Sequence, residues 1–317
     1  IQRLIAVLLS FLLLAGCVGC APEKTSEPEE KVMGLTVSNG KLMQGDEIFY
    51  GAGINYFDLF TGIFNNKWDT SVPLKALEVL KSYDCKVIRF CTLPFYATQM
   101  GFYFEVEDIY WSKLDEIIKK CEELEIGLLP SLFWTYAVND YFDEPYQSAF
   151  FDPESKTVQF TRKFTEEFVR RYCGSEAIYG WEYSNERVLG SDFPDSSHFR
   201  APCAWSKRKV RDERDRVTLD GLEKMYQIFA ETVAANDPYK RIISTGDTNP
   251  RETSYNQYKR GVWEKDTHEE HEWVLDKINP RGITVLSQHQ YSYGELIDPG
   301  ETTYPLLDYF NTWKTFF

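Results

Sequence analysis

Residues 178–186 read Ile178-Tyr179-Gly180-Trp181-Glu182-Tyr183-Ser184-Asn185-Glu186. This stretch begins with apolar and aromatic residues, as buried strands of parallel sheets do. It ends in an Asn-Glu pair, and Glu186 needs an explanation because an unpaired buried carboxylate is costly. One explanation is a helix N-terminus, where a negative charge is favoured. Residues 187–191 (Arg-Val-Leu-Gly-Ser) are a poor helix start, which favours a functional acid at the end of the strand.

Strand-like apolar runs alternate with helix-like stretches on both sides of this segment. Strands are predicted at 48–55, 85–93, 126–133, 178–186, 241–246 and 283–291. Helices are predicted near 72–83, 111–123, 155–173, 219–236 and 269–275, and from 303 onward. Such alternation implies a parallel sheet with helices outside it. A doubly wound open sheet is the alternative, but no Gly-rich phosphate loop follows the first strand. A hairpin with a turn at Asn39-Gly40 is predicted at 35–43 and is expected to cap the bottom of the barrel.

The segment Trp181-Glu182-Tyr183-Ser184-Asn185-Glu186 resembles the strand-four signature of glycoside hydrolase family 5. This family holds the cellulase and β-mannanase types of the retaining β-glycosidases. The resemblance implies an α/β fold, a (β/α)8 TIM barrel, which commonly occupies about 250 residues. Residues 32–317 are assigned to this catalytic barrel. The resemblance also implies that Glu186 is the general acid/base, that Asn185 binds substrate, and that no cofactor is needed.

Other strand ends resemble further parts of the same family pattern. Asn55 ends a Gly-x-Asn segment, and it either binds substrate or caps the next loop. Arg89 lies in the apolar second strand, where the family keeps an arginine near the nucleophile; a structural ion pair is the alternative. His289-Gln290-Tyr291 matches the family's His-x-Tyr, which implies a histidine near the acid/base and a tyrosine on the nucleophile. Period-two alternation places His289 and Tyr291 on one face of the strand.

The end of the third strand departs from the family pattern. It reads Leu132-Phe133-Trp134-Thr135-Tyr136, whereas many family members place a histidine near this point. This departure leaves the branch of the family open. Trp134 is interpreted as a platform that stacks on a sugar ring, with a core position as the alternative.

The number of strands poses a problem, because the sequence supplies about six of the eight β/α units of such a barrel. Retaining glycosidases need two carboxyl groups about 5 Å apart. The family pattern places the nucleophile on strand seven, which is expected beyond Phe317. Glu182 has the strand parity of Glu186 but lies about 13 Å deeper at ~3.3 Å per residue, so it cannot be the partner. Residues 32–317 alone are therefore expected to be poorly soluble and inactive.

The resemblance implies hydrolysis of β-1,4-glycosidic bonds in a plant-type polysaccharide by a retaining double displacement. Trp181-Glu182 before the Asn-Glu pair favours an endo-β-mannanase, and a cellulase-type endo-β-glucanase is the alternative. A non-catalytic glycan-binding surface lipoprotein on a barrel scaffold is the alternative of another class. The expected partner is the polysaccharide, and a monomer is expected.

The N-terminus is expected to be a targeting segment. Residues 4–14 form an apolar run after Arg3, typical of a signal peptide and too short for a comfortable membrane span. Leu14-Ala15-Gly16-Cys17 resembles a bacterial lipoprotein processing site, which assigns 1–17 to the signal and implies lipidation of Cys17. Cys20 is the rival anchor, and an ordinary secretory signal is the alternative. Residues 18–31 are polar and acidic, so they are expected to be a disordered tether outside the cytoplasm.

Composition excludes several other classes of protein. The net charge of −14 argues against a nucleic-acid partner. His268-Glu-Glu-His271 lacks the frame of a zinc-binding motif, and with four histidines in the chain no metal is expected. Beyond the signal there is an odd number of cysteines without a CxxC pair, so buried thiols are favoured over disulfides. They are Cys85, Cys91, Cys121, Cys173 and Cys203.

Overall fold

The structure is a computed structural model that describes residues 31–195, 207 and 210–289. Its strands form a three-stranded antiparallel sheet and a five-stranded parallel sheet. The antiparallel strands are β1 (Thr36–Ser38), β2 (Lys41–Gln44) and β3 (Glu47–Ile48). The parallel strands are β4 (Gly53–Asn55), β5 (Val87–Cys91), β6 (Gly127–Ser131), β7 (Gly180–Glu182) and β8 (Ile242–Ser244).

Helices lie between successive parallel strands and after the last of them, β8. They are α1 (Ser71–Ser82), α2 (Gly101–Phe104), α3 (Glu107–Leu124), α4 (Ala137–Phe142), α5 (Tyr146–Phe151), α6 (Lys156–Tyr172), α7 (Leu219–Asn236), α8 (Ser254–Arg260) and α9 (His268–Ile278). No helix of the described ranges is both long enough and apolar enough to cross a membrane.

The parallel sheet has the strand order of a β/α barrel. Each strand pairs with the one before it in the sequence, in the order β4-β5-β6-β7-β8. The register places Asn55 opposite Arg89, and Glu182 opposite both Ser131 and Ser244. Because all strands run the same way, their carboxyl ends meet at one edge of the sheet. The predicted α/β barrel-type fold is confirmed, and most predicted helices and strands lie within a few residues of their expected positions.

The predicted first strand is wrong at its start. Ile48 belongs to β3 and pairs with Met43 in the antiparallel sheet, rather than continuing into β4. Gly45 makes this return possible, because its φ of 60° lies in the left-handed region that favours glycine. The parallel strand begins only at Gly53, where an added Cβ would lie 2.0 Å from the carbonyl oxygen of Val87.

The predicted sixth strand is also wrong as a regular strand within the described residues. Residues 284–289 run beside β8 without forming a ladder. The Thr284 N–H donates to the Ile243 carbonyl at 2.9 Å, but the Ile243 N–H donates to the Thr284 hydroxyl at 2.8 Å. A side chain thus takes the place of a ladder carbonyl. Tyr291 lies outside the described residues.

The amino-terminal ends of β7 and β8 are closed by the segment that leads into the hairpin. The Leu35 N–H donates to the Tyr179 carbonyl at 2.9 Å, and the Leu35 carbonyl accepts from the Ile242 N–H at 2.8 Å. The three side chains form a small buried cluster. The prediction that the hairpin caps the bottom of the barrel is confirmed.

Aromatic side chains fill the layer between the sheet and the outer helices. On α6, residues Phe160, Phe164 and Phe168 recur at the i, i+4 spacing of one helix face, and all are buried. Phe164 stacks on Trp111 of α3 with ring centroids 5.9 Å apart. Burying each such side chain contributes about 1.5–3 kcal/mol. Of the cysteines in this region, Cys85, Cys91 and Cys121 are free and buried, as expected.

A substitution at Gly34 can test how tightly the segment that closes the amino-terminal ends of β7 and β8 is packed. The φ of Gly34 is +70°, and an added Cβ would lie 2.4 Å from the Ile178 carbonyl oxygen. Gly40 has a φ of +69° but nothing within 4 Å of an added Cβ. We expect Gly34→Ala to lower the free energy of unfolding by about 2 kcal/mol more than Gly40→Ala, because only the first overpacks its surroundings. Chemical denaturation measures both, and equal losses would contradict this packing.

Candidate active site

The carboxyl edge of the parallel sheet gathers the polar residues that the sequence singled out. After β7 the chain remains hydrogen-bonded along the neighbouring segment that follows β8. Ser184 N–H donates to the Thr245 carbonyl at 3.0 Å, and Glu186 N–H donates to the Gly246 carbonyl at 3.1 Å. This backbone pairing fixes the position at which the Glu186 side chain leaves the sheet.

Glu186 adopts a backbone conformation that is unfavourable for its residue type. Its φ of 51° and ψ of 31° lie in the left-handed region, which costs roughly 1–2 kcal/mol outside glycine. A four-residue 3₁₀ helix, Arg187–Gly190, follows it. Within the described residues, the Glu186 side chain makes no capping hydrogen bond to this helix. The helix-terminus explanation thus holds for the backbone position of Glu186, but not for the contacts of its carboxylate.

The Glu186 carboxylate instead contacts His289. The Glu186 Oε1 and His289 Nδ1 atoms are 2.9 Å apart, and the two side chains are 26% and 15% exposed. The His289 carbonyl in turn accepts from the Thr248 hydroxyl at 3.2 Å. A neutral imidazole can donate to a carboxylate or accept from a carboxylic acid, depending on its tautomer. The contact can thus persist in both protonation states of Glu186.

Arg89 links β5 to the end of β7 and to the residues that follow β7. Its Nε donates to the Glu182 Oε1 at 2.7 Å, and its Nη1 and Nη2 each donate to the Asn185 Oδ1 at 3.1 Å. Nη2 also donates to the Ser184 carbonyl at 3.2 Å. Arg89 therefore makes a structural ion pair and also contacts a predicted substrate ligand. The structural ion pair is thus present, whereas the expected contact with the nucleophile stays a prediction.

The carboxylate that compensates the charge of Arg89 lies on β7. Within the described ranges, the ion-pair partner of Arg89 is Glu182. Its pairing with Arg89 was not predicted from the sequence, where Glu182 was considered only as a catalytic partner for Glu186. Arg89 on β5 reaches past the intervening strand β6, where the small Ser131 pairs with Glu182.

Glu182 is a fully buried carboxylate. Burial raises its pKa above the usual value, while the charge and the hydrogen bond of Arg89 act in the opposite direction. Its side chain is 2% exposed. Removing one partner of such a buried pair typically costs about 3–5 kcal/mol, because the other charge is left uncompensated.

Aromatic side chains flank Arg89 at the same edge. The Arg89 guanidinium carbon lies 4.3 Å from the ring centroid of the half-buried Trp134. Phe95 packs edge-on against Trp134 at 5.9 Å, and Phe57 lies 6.4 Å from it. Phe57 is 44% exposed. The Arg89 guanidinium thus covers one face of Trp134, so the predicted stacking of a sugar on Trp134 would use the other face.

The remaining predicted site residues lie in different places. Asn55 is exposed at the end of β4, opposite Arg89 in the sheet register. Tyr291 and the predicted lipidation site Cys17 lie outside the described residues. The structure thus brings Arg89, Asn185, Glu186 and His289 together, with Trp134 beside them.

Sequence reasoning missed the residues that hold the turn around Glu186. Arg187 is buried, and its Nη2 donates to the carbonyls of Phe133 at 2.7 Å and Thr135 at 2.5 Å. Its guanidinium also lies 4.3 Å from the Tyr136 ring centroid. The sequence feature that could have indicated this role is the position of Arg187 directly after the Asn-Glu pair. A charged side chain there must either reach solvent or find hydrogen-bond acceptors.

Asp247 holds the same turn from the opposite side. It follows β8, and its carboxylate accepts from the Val188 N–H at 2.9 Å and from the Tyr226 hydroxyl. Arg251 adds hydrogen bonds to the carbonyls of Val188 at 3.1 Å and Ser191 at 2.6 Å. Burial raises the pKa of Asp247 to about 6, although its hydrogen bonds and Arg187 oppose the shift.

The raised pKa of Asp247 predicts a pH-dependent contribution to stability. Because the folded state binds this proton more tightly than the unfolded state, the contribution is fully present below the unfolded pKa. It is lost as the pH rises through about 6. We expect wild type to gain stability relative to Asp247→Asn, on the order of 1–3 kcal/mol, between pH 7.5 and 4.

Urea denaturation of both proteins across this pH range measures the difference. Asparagine keeps an acceptor for the Val188 N–H, so the comparison isolates the titrating group. A difference in unfolding free energy that stays constant, or that grows toward high pH, would contradict the assignment of a buried, proton-binding Asp247.

Comparison with known proteins gives a fold and no close relative. No family model matches the chain, and no curated protein matches it significantly. Among solved structures, the endo-1,4-β-mannanase from Eisenia fetida aligns with a TM-score of 0.50 at 14% identity, covering 82% of this chain and 73% of that one. The β-mannanase from the blue mussel Mytilus edulis aligns with a TM-score of 0.49 at 12% identity, covering 84% and 76%.

At such identities the likeness concerns the fold. The chain has the α/β barrel-type fold that the Eisenia fetida glycoside hydrolase also has. The carboxyl ends of the strands, where Glu186 and His289 meet, are the edge at which barrels of this kind carry their active sites.

Proposed function

We propose that this chain belongs to a retaining β-glycosidase that cleaves β-1,4 bonds of a polysaccharide, with Glu186 as general acid/base. The contact between the Glu186 carboxylate and His289 Nδ1, at 2.9 Å on the carboxyl edge of the sheet, carries the proposal. The neighbouring Asn185 and Arg89 support it, because they place a fixed amide beside the acid. The family resemblance of the Asn-Glu segment supplies the reaction type.

The proposed reaction has two steps, and Glu186 acts in both. In the first, the protonated Glu186 gives its proton to the leaving glycosidic oxygen while a second carboxylate attacks the anomeric carbon. In the second, the ionised Glu186 takes a proton from water, which displaces that carboxylate. His289 fits this cycle because its ring can hydrogen-bond either form of the carboxyl group.

Glu182 does not supply the attacking carboxylate. It is buried beneath the edge and holds the Nε of Arg89 at 2.7 Å. Retaining enzymes place the two carboxyl groups about 5 Å apart on either side of the scissile bond. We assign the nucleophile to the strand-seven position of the family pattern, which lies outside the described residues.

The proposed substrate is a β-1,4-mannan. Trp181-Glu182 before the Asn-Glu pair resembles the mannanase branch, and the fold match with the Eisenia fetida endo-mannanase supports the same choice. A cellulase-type glucanase would share the residues that surround Glu186. Relative rates on mannan, glucomannan and carboxymethylcellulose separate the two substrates.

Replacing the proposed acid tests the mechanism. In the full-length protein, Glu186→Ala is expected to lower polysaccharide hydrolysis by about 10²–10⁴-fold, the usual contribution of a general acid. Activity on dinitrophenyl glycosides should fall less, because their leaving group needs little protonation. Azide should restore part of the turnover by replacing the activated water.

Glu231→Ala, which removes an exposed carboxylate on α7, serves as the control and should leave all rates unchanged. Hydrolysis of polysaccharide by Glu186→Ala at the wild-type rate would exclude the proposed role. Wild-type protein that binds mannan without cleaving it would instead indicate a glycan-binding protein.

We further propose that the protein is anchored outside the cytoplasm through a lipid on Cys17. The support is the apolar run followed by Leu14-Ala15-Gly16-Cys17. Expressed in a bacterial host, the protein should incorporate labelled fatty acid, and Cys17→Ser should abolish the incorporation. Labelling that persists in Cys17→Ser but disappears in Cys20→Ser would move the anchor to Cys20.

A further inference from the structure

Glu182 is a buried carboxylate that the proposed reaction does not use. It ends β7 and is 1% exposed, beneath the edge where Glu186 lies. Desolvating a charge of this kind costs several kcal/mol, and a well-packed apolar residue often serves stability as well or better. This desolvation cost suggests that Glu182 has a role other than stabilising the fold. The contacts of its partner Arg89 indicate what that role is.

The hydrogen bonds of Arg89 determine how the Asn185 side chain is oriented. A guanidinium has five N–H donors and no acceptor. Because Nη1 and Nη2 both point at the Asn185 Oδ1 at 3.1 Å, the amide must turn its oxygen toward Arg89. The Asn185 Nδ2, with two N–H donors, therefore faces away from Arg89.

Hydrogen bonds hold the edge of the Arg89 guanidinium, and an aromatic ring packs against its face. Glu182 accepts from Nε at 2.7 Å, and the Ser184 carbonyl accepts from Nη2 at 3.2 Å. The Trp134 ring lies against the guanidinium with its centroid 4.3 Å from the central carbon. Because the planar Arg89 guanidinium is already fixed in this way, it loses little conformational freedom when it binds Asn185. Of these partners, Glu182 alone carries a compensating charge in the described part of the chain.

We infer that Glu182 is a positioning residue that acts through Arg89 on Asn185. The pair holds the Asn185 amide so that its two N–H donors are presented beside Glu186, where they bind an acceptor oxygen of the substrate, such as a sugar hydroxyl. This inference rests on the proposed function for the identity of the substrate. We call the hydrogen-bonded series of Glu182, Arg89 and Asn185 the clamp. The clamp rests only on the contacts between these three residues.

A double-mutant cycle tests whether Glu182 acts through Asn185. Glu182→Gln keeps the shape of the side chain but removes the charge that holds Arg89, so the amide of Asn185 is free to rotate. Glu182→Gln is expected to lower kcat/KM by about 5- to 100-fold when Asn185 is present. In the Asn185→Ala background the same substitution should have at most about a 3-fold effect, because there is no amide left to orient. Independent, multiplying effects of the two substitutions would overturn the inference.

Asp237 offers a matched control for loss of a buried ion pair. Its carboxylate lies 3.4 Å from the Arg241 guanidinium, the two side chains are 2% and 0% exposed, and they lie just before β8 at the amino-terminal ends of the strands. Asp237→Asn should lower the melting temperature as Glu182→Gln does. Its effect on kcat/KM should be the same with or without Asn185. Coupling of equal size for both carboxylates would mean that Glu182 is only structural.

A second readout does not depend on catalysis. The Nε–H of Arg89, assigned by its loss in Arg89→Lys, should exchange slowly with solvent in wild type and in Asn185→Ala, and quickly in Glu182→Gln. The side-chain amide resonance of Asn185 should also shift in Glu182→Gln. If wild type hydrolyses no polysaccharide, the proposed function fails, and these NMR signals still decide the clamp. Unchanged signals in Glu182→Gln would overturn the clamp whatever the activity.

If Glu182→Gln does not fold, Arg89→Lys supplies the same cycle. Lysine can still pair with Glu182 but cannot donate through a planar fork to Asn185. Its effect on kcat/KM should likewise vanish in the Asn185→Ala background. An effect that persists there would overturn the inference.

Discussion

Arg89 carries a permanent charge into a parallel sheet, where desolvation costs several kcal/mol unless the charge is paired. Glu182 provides the pairing from β7, two strands away, and the small Ser131 lies on the strand between them. The remaining donors of Arg89 then bind the chain that leaves β7 at Ser184 and Asn185. The ion pair that compensates the charge therefore also fixes the direction in which Asn185 and the next residue leave the sheet.

The turn after Asn185 has an unfavourable backbone conformation, and contacts with neighbouring segments offset its energetic cost. Glu186 has a left-handed backbone, and such strain persists only where neighbouring contacts determine the conformation. Arg187 binds two carbonyls of the segment after β6, and Asp247 binds the Val188 N–H from the segment after β8. Gly246 lets this segment approach, since an added Cβ would lie 1.8 Å from the Ser184 carbonyl oxygen. Three neighbouring strands thus contribute to the placement of one carboxylate.

The sequence predicted the parts of this arrangement that depend on local pattern. The bounds of α7, the hairpin at the bottom and the parallel order of strands follow from periodicity and turn residues. The family pattern placed His289 near Glu186, and the two side chains are in contact. Period-two alternation does not reveal which residue lies across a sheet, so the pair of Arg89 with Glu182 and the role of Asp247 were missed. The irregular pairing of Thr284 with Ile243 was missed because a side chain replaces a backbone acceptor there.

The central claim is that these buried contacts present Glu186 as the acid/base of a retaining glycosidase. The anomeric configuration of the first product, followed by proton NMR while the full-length protein hydrolyses a β-1,4-linked oligosaccharide, tests it most directly. A double displacement predicts that the β anomer accumulates first and then mutarotates to the equilibrium mixture. Initial accumulation of the α anomer would contradict the account, because it would mean a single displacement in which Glu186 never acts as acid and base in turn.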